Sequence, residues 1–532
     1  MALDYLITNA KIVDGTGKPA FIGDVGIKNG KIGLSPSEIS DKTIDGTGMV
    51  LVPGFIDAHS HADMGMGIPC FSLAKISQGV TTEIAGLCGT SMAPVSRENL
   101  IYAQQKVTDL EADFVFSEDM VHWTTFERYL KYVEKVPKYT NIKISIGHNT
   151  LRSTVMAIGK RPASVDEMER MKELLREAME HGAAGLSAGL IFVPGCYADR
   201  KELIELAGVL REYDGIFSFH MRNESSDVIR AVEEVLDIGR CTGVKVAVSH
   251  HKVLGRRNWG MQKQTLKQID DAYREGVRVI CDQYPYTRNM TSLQACIPPW
   301  HFSEGNPPIW EVLKDSACRA SVRDEMENPA TPYDNYYLNA GGWSGILVIT
   351  AVNTPWVEGK TIEACARESG QDPFDVYFNL MIENQGKGGA VFQSMCEEDV
   401  LEIASSPYTV VGSDGIIMKQ GERVHPRTFG TFPRAICFYV KEKKIMSLEE
   451  VIRRMTSMTA DWYQLKNKGA IKDGYDADLV LLDYERLRDR ATYQNPTIRT
   501  EGIQWVMVNG KMVYQDMEMT SAAPGRFIPH RL

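Results

Sequence analysis

The chain predicts an α/β fold: a (β/α)8 TIM-type barrel with a small β-sandwich domain formed from both termini and an insertion between strands 7 and 8. Three observations lead there. From residue 51 to about 430, apolar strand-like runs alternate with amphipathic helix-like ones, as parallel strands joined by right-handed crossovers require. The strand-like runs number eight, which is the count that closes such a barrel. Residues 1–52 and 465–532 follow a different rhythm, short alternating strands separated by Asn-Gly and Asp-Gly, the dipeptides of tight hairpin turns.

The N-terminal strands are expected at 5–9, 11–13, 25–28, 31–33 and 42–44, with turns at 14–15, 29–30 and 45–46. A unit this small cannot cover both faces of its own sheet. Its partner is expected at the other end of the chain, where 477–483 and 503–514 repeat the pattern around Asn509-Gly510. Residues 53–464 then form the barrel. Its strands are expected at 52–58, 81–85, 143–147, 185–189, 216–220, 245–249, 278–284 and 408–412, with helices at 164–181, 200–213, 227–242 and 262–276. Two segments interrupt the alternation, 91–141 and 287–407. The second contains Pro298-Pro299-Trp300 and Pro307-Pro308 and is too long for a plain loop, so it reads as an inserted subdomain over the barrel mouth. In the alternative, 345–352 supplies a barrel strand.

Composition narrows the function. Hydrophobic residues at 43% and charged ones at 24% allow a large buried core. A net charge of −10 excludes a basic footprint for nucleic acid. No window of about 18 apolar residues could span a bilayer, and the start Met-Ala-Leu-Asp lacks the basic and apolar blocks of a secretory signal. Ten cysteines without a CxxC suit reduced thiols. The expected location is cytoplasmic, with no nucleic acid and no membrane as partner.

In a barrel of this kind the chemistry sits where strands end. The first ends in His59-Ser60-His61. Side chains two apart on a strand point the same way, so both imidazoles aim at one place. A bare His-x-His is more often a pair of solvated histidines, and other strand ends have to supply the remaining ligands. Cys88 follows the second strand between glycines at 86 and 89, His220 ends the fifth, His250-His251 end the sixth and Asp414 follows the eighth. Of the adjacent histidines only one can face inward. Histidine, thiolate and carboxylate together are zinc ligands, and it is their convergence that points to a metal site.

These residues resemble the amidohydrolase superfamily and, more closely, its N-acyl-D-amino-acid deacylase branch. The matching stretches are Pro53-Gly-Phe-Ile-Asp-Ala-His-Ser-His61, Gly86-Leu-Cys-Gly-Thr-Ser91, Gly185-Leu-Ser-Ala-Gly-Leu190, Ser249-His-His-Lys252, Asp282-Gln-Tyr-Pro-Tyr286, Gly412-Ser-Asp-Gly415 and His425-Pro-Arg427. Most of the superfamily bridges two metals with a carboxylated lysine at the end of strand 4, where this chain has no lysine. In the deacylase branch a cysteine bridges, which Cys88 matches. The resemblance implies a tightly bound zinc on Cys88, His220 and His250, and a second, weaker site on His59, His61, Cys88 and Asp414. It also implies Asp414 as the catalytic base, an N-acyl amino acid as substrate, and cationic and hydroxyl groups near the mouth for its carboxylate. Lys252, Tyr284 and Arg288 are the candidates.

Three departures leave the substrate open. Phe192 stands where the family has tyrosine, Thr287-Arg-Asn-Met follows Tyr-Pro-Tyr in place of small residues, and Thr459-Ala-Asp-Trp lacks the usual Pro-Ala. The rival readings are a cyclic-amide hydrolase of hydantoinase or dihydroorotase type, disfavoured by the missing lysine, and an inactive binding protein of the same fold, disfavoured by the complete set of site residues.

Overall fold

Tyr5–Ile12 pairs antiparallel with Phe21–Lys28, which turns at Asn29-Gly30 into Lys31–Leu34. Both turn residues have positive φ, 53° and 74°, the geometry that Asn-Gly tolerates best. Val50–Pro53 lies parallel to the first strand and antiparallel to Leu479–Leu482, so the two ends of the chain share hydrogen bonds. With Thr43–Asp45, parallel to the first strand, and with Ile503–Val508, Lys511–Gln515 and Glu518–Met519, they complete one nine-stranded sheet. Alternate residues serve alternate faces. Ile7, Leu51, Leu479, Leu481 and Trp505 gather on one side, while Val50, Val52, Val480 and Val506 pack with Phe432, Ile436 and Val451 of the barrel's outer layer. The structure, a computed structural model, describes residues 2–34, 36, 40, 42–96, 118–302, 306–416, 421 and 423–530.

The chain crosses from sheet to barrel at Gly54, where a Cβ would stand 2.2 Å from the Thr81 hydroxyl. The strand expected at 52–58 is therefore two strands. Val50–Pro53 belongs to the terminal sheet, and Phe55–Asp57 opens the barrel. Around the barrel follow Val80–Ala85, Asn141–Ile144 continued by Ile146–Gly147, Gly185–Gly189, Ile216–His220, Lys245–Val248, Val279–Gln283 and Thr409–Val411, each paired parallel to its neighbour. The third strand is broken at Ser145, one half pairing back and the other forward. The ring closes between the eighth and first strands through Ala58 N to Val411 O at 3.3 Å and Asp414 N to His59 O at 2.8 Å.

Helix ends follow local chemistry. Val165–Glu180 starts with a Ser164 and Glu167 capping box, Arg200–Glu212 is capped by Asp199, and Val228–Thr242 stops at left-handed Gly243. The insertion has its own three-stranded antiparallel sheet, Asn289–Ser292, Gly389–Phe392 and Ile346–Thr350, and its own core around Leu293, Trp343, Tyr377 and Phe392. Residues 345–352 thus hold a strand of the insertion and none of the barrel. The last part of the segment, Glu397–Ser405, packs on Gln262–Arg274 and on the eighth strand, and serves as the crossover helix. Of the segment 91–141, residues 97–117 lie outside the described residues.

One buried charge in the third strand is a cost to the fold. Lys143 is fully buried, and its Nζ has no hydrogen-bond partner among the described residues. Burial, reinforced by Lys245, pulls its pKa down to about 7. A lysine depressed in the folded state destabilises fully below that value and ceases to do so as pH rises toward its ordinary pKa of about 10.4. Lys143→Met is therefore expected to be more stable by on the order of 4 kcal/mol at pH 7 and by less than about 1 kcal/mol at pH 10. Denaturant midpoints of both proteins at the two pH values check this, and a gap independent of pH would contradict it.

Candidate metal centre

The ligands stand where strands end, and the backbone bends sharply to aim them. Cys88, His250 and Asp414 all have positive φ, at 52°, 36° and 48°. For residues with a Cβ this costs on the order of 1–2 kcal/mol each, and such strain gathers where a site dictates geometry. Cys88 can turn this way because Gly86 precedes it, in a position where a Cβ would stand 2.0 Å from Ser145 O.

Two ligand groups result, each with its donor atoms within 4.8 Å of one another. One is Cys88, His220 and His250, the other His59, His61, Cys88 and Asp414. Cys88 Sγ lies 3.3 Å from His250 Nε2 and 3.2 Å from His59 Nε2, and His250 Nε2 lies 3.1 Å from His220 Nδ1. His61 Nε2 is 3.0 Å from Asp414 Oδ1. Zinc bonds of about 2.0–2.3 Å at tetrahedral angles put neighbouring ligand atoms about 3.3–3.6 Å apart. The donors present fit that ion, with Cys88 shared between two positions. His251 points the other way and meets Thr265 Oγ1 at 2.9 Å, as adjacent residues must.

The cluster is electrostatically short of positive charge. Burial disfavours a thiolate, yet His59 and His250 beside Cys88 hold its thiol well below the usual range. Burial likewise disfavours charged imidazoles, but Asp414 and Cys88 raise His61 to about 9, and Glu224 with Cys88 raises His220 to about 9. A ring proton and a metal ion compete for the same lone pair, so a pocket that draws protons this strongly draws a cation. Burial pushes Asp414 up, and Arg427, 2.8 Å away, overrides it and keeps the carboxyl well below its ordinary value.

A second layer fixes the ligands. Asp282 Oδ1 meets His59 Nδ1 at 3.0 Å and accepts from His250 N at 2.8 Å. Glu224 Oε1 lies 3.1 Å from His250 Nδ1 and accepts from Lys252 Nζ at 2.6 Å. Below them the buried Lys75 donates to Asp57 Oδ2 at 2.7 Å and Ser413 Oγ at 2.6 Å, tying the first strand end to the eighth. Carboxylates behind ligating histidines typically govern metal affinity by about 10–100-fold. Asp282→Asn is accordingly expected to weaken metal binding within that range, read by competition with a chelator, while Asp282→Glu loses less.

The centre opens into a cavity of about 1050 Å3 whose lining includes His61, Cys88, His220, His250, Lys252, Tyr284, Asp414 and Arg427. Among the described residues the Tyr284 hydroxyl and the Arg427 Nε are buried without a hydrogen-bond partner, Arg427 Nη1 is held by Asp414 Oδ2 at 2.8 Å, and the guanidinium lies 4.7 Å over the Tyr284 ring. Arg288, the third expected substrate contact, is not in this lining. It stacks 4.5 Å over Tyr493 and donates to Gln393 Oε1 at 3.2 Å, because the turn at Tyr286-Thr287 carries it outward. Sequence reasoning missed Asp282, Glu224, Lys75 and the role of Arg427. Asp282 and Arg427 stood inside motifs already singled out, whereas nothing local marked Glu224 or Lys75.

An amidohydrolase family model matches residues 42–286 and 332–514. The chain belongs to the amidohydrolase family. A D-aminoacylase of Alcaligenes xylosoxydans xylosoxydans is 32% identical over 99% of this chain and 97% of its own. A D-aminoacylase structure described by its binuclear metal centre, with one-metal activation and second-metal attenuation, superposes with a TM-score of 0.83 at 31% identity, covering 99% of this chain and 100% of that one. An N-acyl-D-glutamate deacylase from Bordetella bronchiseptica, solved with zinc and a phosphonate mimic of the tetrahedral intermediate, gives 0.82 at 30% identity, with 99% and 100% covered. In this amidohydrolase strand 4, Gly185–Gly189, contains no lysine, and Cys88 belongs to both ligand groups.

Proposed function

We propose that this amidohydrolase hydrolyses the linear amide of an N-acyl amino acid, of the D series, to a carboxylate and a free amino acid. The observation that carries this is the juxtaposition, in one cavity, of a cysteine-centred ligand cluster with Lys252, the Arg427 guanidinium and the Tyr284 hydroxyl, of which Arg427 Nε and the Tyr284 hydroxyl have no hydrogen-bond partner among the described residues. Buried donor atoms with hydrogen-bonding capacity left over, such as Arg427 Nε and the Tyr284 hydroxyl, are what a ligand carboxylate satisfies. The D series is favoured by relatives of full-length similarity that are named for D-amino-acid substrates.

Zinc would be held by Cys88, His220 and His250, with a second, weaker position on His59, His61, Cys88 and Asp414, and would supply Lewis acidity and a nucleophile at neutral pH. The chain's own groups do the rest. Arg427, Lys252 and Tyr284 anchor the substrate carboxylate and so set the amide over the ligand cluster. Asp414, ionised because Arg427 faces it, accepts the proton of the attacking water at Oδ1 and returns it to the departing amide nitrogen. Asp282 and Glu224 keep the imidazoles oriented throughout.

The test is a panel of N-acyl-D- and N-acyl-L-amino acids beside hydantoins and dihydropyrimidines, with bound metal measured on the same sample. D-configured linear amides are expected to be preferred. Faster turnover of a cyclic amide would replace this reading with the hydantoinase-type one.

A further inference from the structure

The insertion reaches past the cavity wall to the groups behind the ligating histidines. Glu224, in the loop after strand 5, is fully buried. Its Oε1 lies 3.1 Å from His250 Nδ1 and its Oε2 3.5 Å from His220 Nε2, so one side chain backs two of the three residues of the Cys88, His220 and His250 group. A carboxylate orients an imidazole only as firmly as its own backbone is held. Here the hold comes from the insertion, because Glu224 N donates to Asp334 Oδ2 at 2.7 Å. On the other side of the same peptide, Leu254 N of the loop after strand 6 donates to Glu224 O at 2.7 Å.

Asp334 can serve as a fixed point because its neighbours on both sides are anchored. The Tyr333 hydroxyl donates to Cys296 O at 2.9 Å. Asn335 caps the short helix Tyr336–Asn339, accepting from Leu338 N at 3.0 Å, and donates through Nδ2 to Met326 O at 2.8 Å. The second carboxylate oxygen of Asp334, Oδ1, accepts from Asn339 Nδ2 at 2.7 Å. Asn339 Oδ1 in turn stands 2.6 Å from where a Cβ on Gly255 would lie, and Gly255 N donates to Ser394 O at 2.7 Å. The loops after strands 5 and 6 are therefore both tied to the insertion. Asp334 is itself buried, so its removal would leave the Glu224 N–H without an acceptor away from water, and the loop would have to shift to satisfy it.

We infer that Asp334 is a positioning residue of the metal centre, holding Glu224 and through it His220 and His250, and that docking of the insertion is coupled to tight metal binding. The inference rests on the metal position at Cys88, His220 and His250 proposed above. Coupling of this kind is reciprocal. Whatever affinity the docked insertion lends the metal, the metal returns as resistance of the insertion to opening.

The experiment measures zinc affinity by competition with a chelator on the full-length wild type, Asp334→Ala, Asp334→Asn and Trp259→Phe. Asp334→Ala is expected to bind zinc about 10-fold or more weakly. Asp334→Asn keeps an acceptor for Glu224 N, and Asn339 can turn its own amide to meet the new NH2, so its affinity is expected within about threefold of wild type. Trp259→Phe removes a different bond between barrel and insertion, Trp259 Nε1 to Ser394 O at 3.1 Å, and is expected to bind as wild type does. Wild-type affinity in Asp334→Ala, no recovery in Asp334→Asn, or an equal loss in Trp259→Phe overturns the inference. A second measurement needs no variant. Zinc loading is expected to slow backbone hydrogen exchange over residues 334–339 of the wild type by about threefold or more, and an unchanged rate overturns the coupling even if Asp334→Ala fails to fold. A wild type that holds no zinc overturns the metal reading beneath, which the other outcomes leave standing.

Discussion

Asp414→Asn is expected to lower kcat by about 1,000-fold or more while the protein keeps its tight metal. The asparagine cannot accept a proton, and general acid–base catalysis alone contributes about 100–10,000-fold. Cys88, His220 and His250 form a ligand group that does not include Asp414, so metal per chain should stay near the wild-type value. Arg427 loses its ion-pair partner at 2.8 Å, and the freed guanidinium is expected to bind the substrate carboxylate at least as well, so KM should not rise. A variant that turns over at the wild-type rate would remove Asp414 from the chemistry, and one that also loses its metal would make it a ligand first and a base second.

Cys88→Ala is expected to be the most damaging change to the centre, because the sulfur is the one ligand common to both groups. Without it His220 and His250 remain as a two-ligand site, and His59, His61 and Asp414 as a separate one. Metal content after dialysis should fall below about a tenth of wild type, with activity falling in step, and His61→Asn, which spares the first group, should retain most of it. Cys88→Ser is expected to recover little, since a hydroxyl does not ionise as a thiol does beside cationic neighbours. Elemental analysis of the three variants against wild type is the measurement, and a full complement in Cys88→Ala would end the bridging role.

The barrel was readable because its pattern is repetitive. Two of the helices between strands carried their own start signals, Ser164 and Asp199, and the strands were short, mostly apolar runs. The limit of that reading shows at Gly54, where a continuous apolar run, Val50 to Ile56, divides between two sheets. Nothing in hydrophobicity distinguishes Leu51 from Phe55. The division is set by Thr81 crowding residue 54 and by Leu479–Leu482 pairing with the first half. Likewise Ile346–Thr350 has the composition of a barrel strand and became part of the insertion, because its hydrogen-bond partner, Gly389–Phe392, lies in that subdomain.

By itself the sequence determined which residue types stand at strand ends, since periodicity of two and a terminal His, Cys or Asp are local properties of the chain. It also determined that His250 and His251 must diverge. Only the tertiary structure decided that Cys88 reaches both groups, that Arg427 faces Asp414 while Arg288 turns away to Tyr493, and that Asp282 and Glu224 back the histidines. Those are relations between residues tens to hundreds of positions apart. Ring closure and strained backbone at three ligands fix them, and no local preference encodes either.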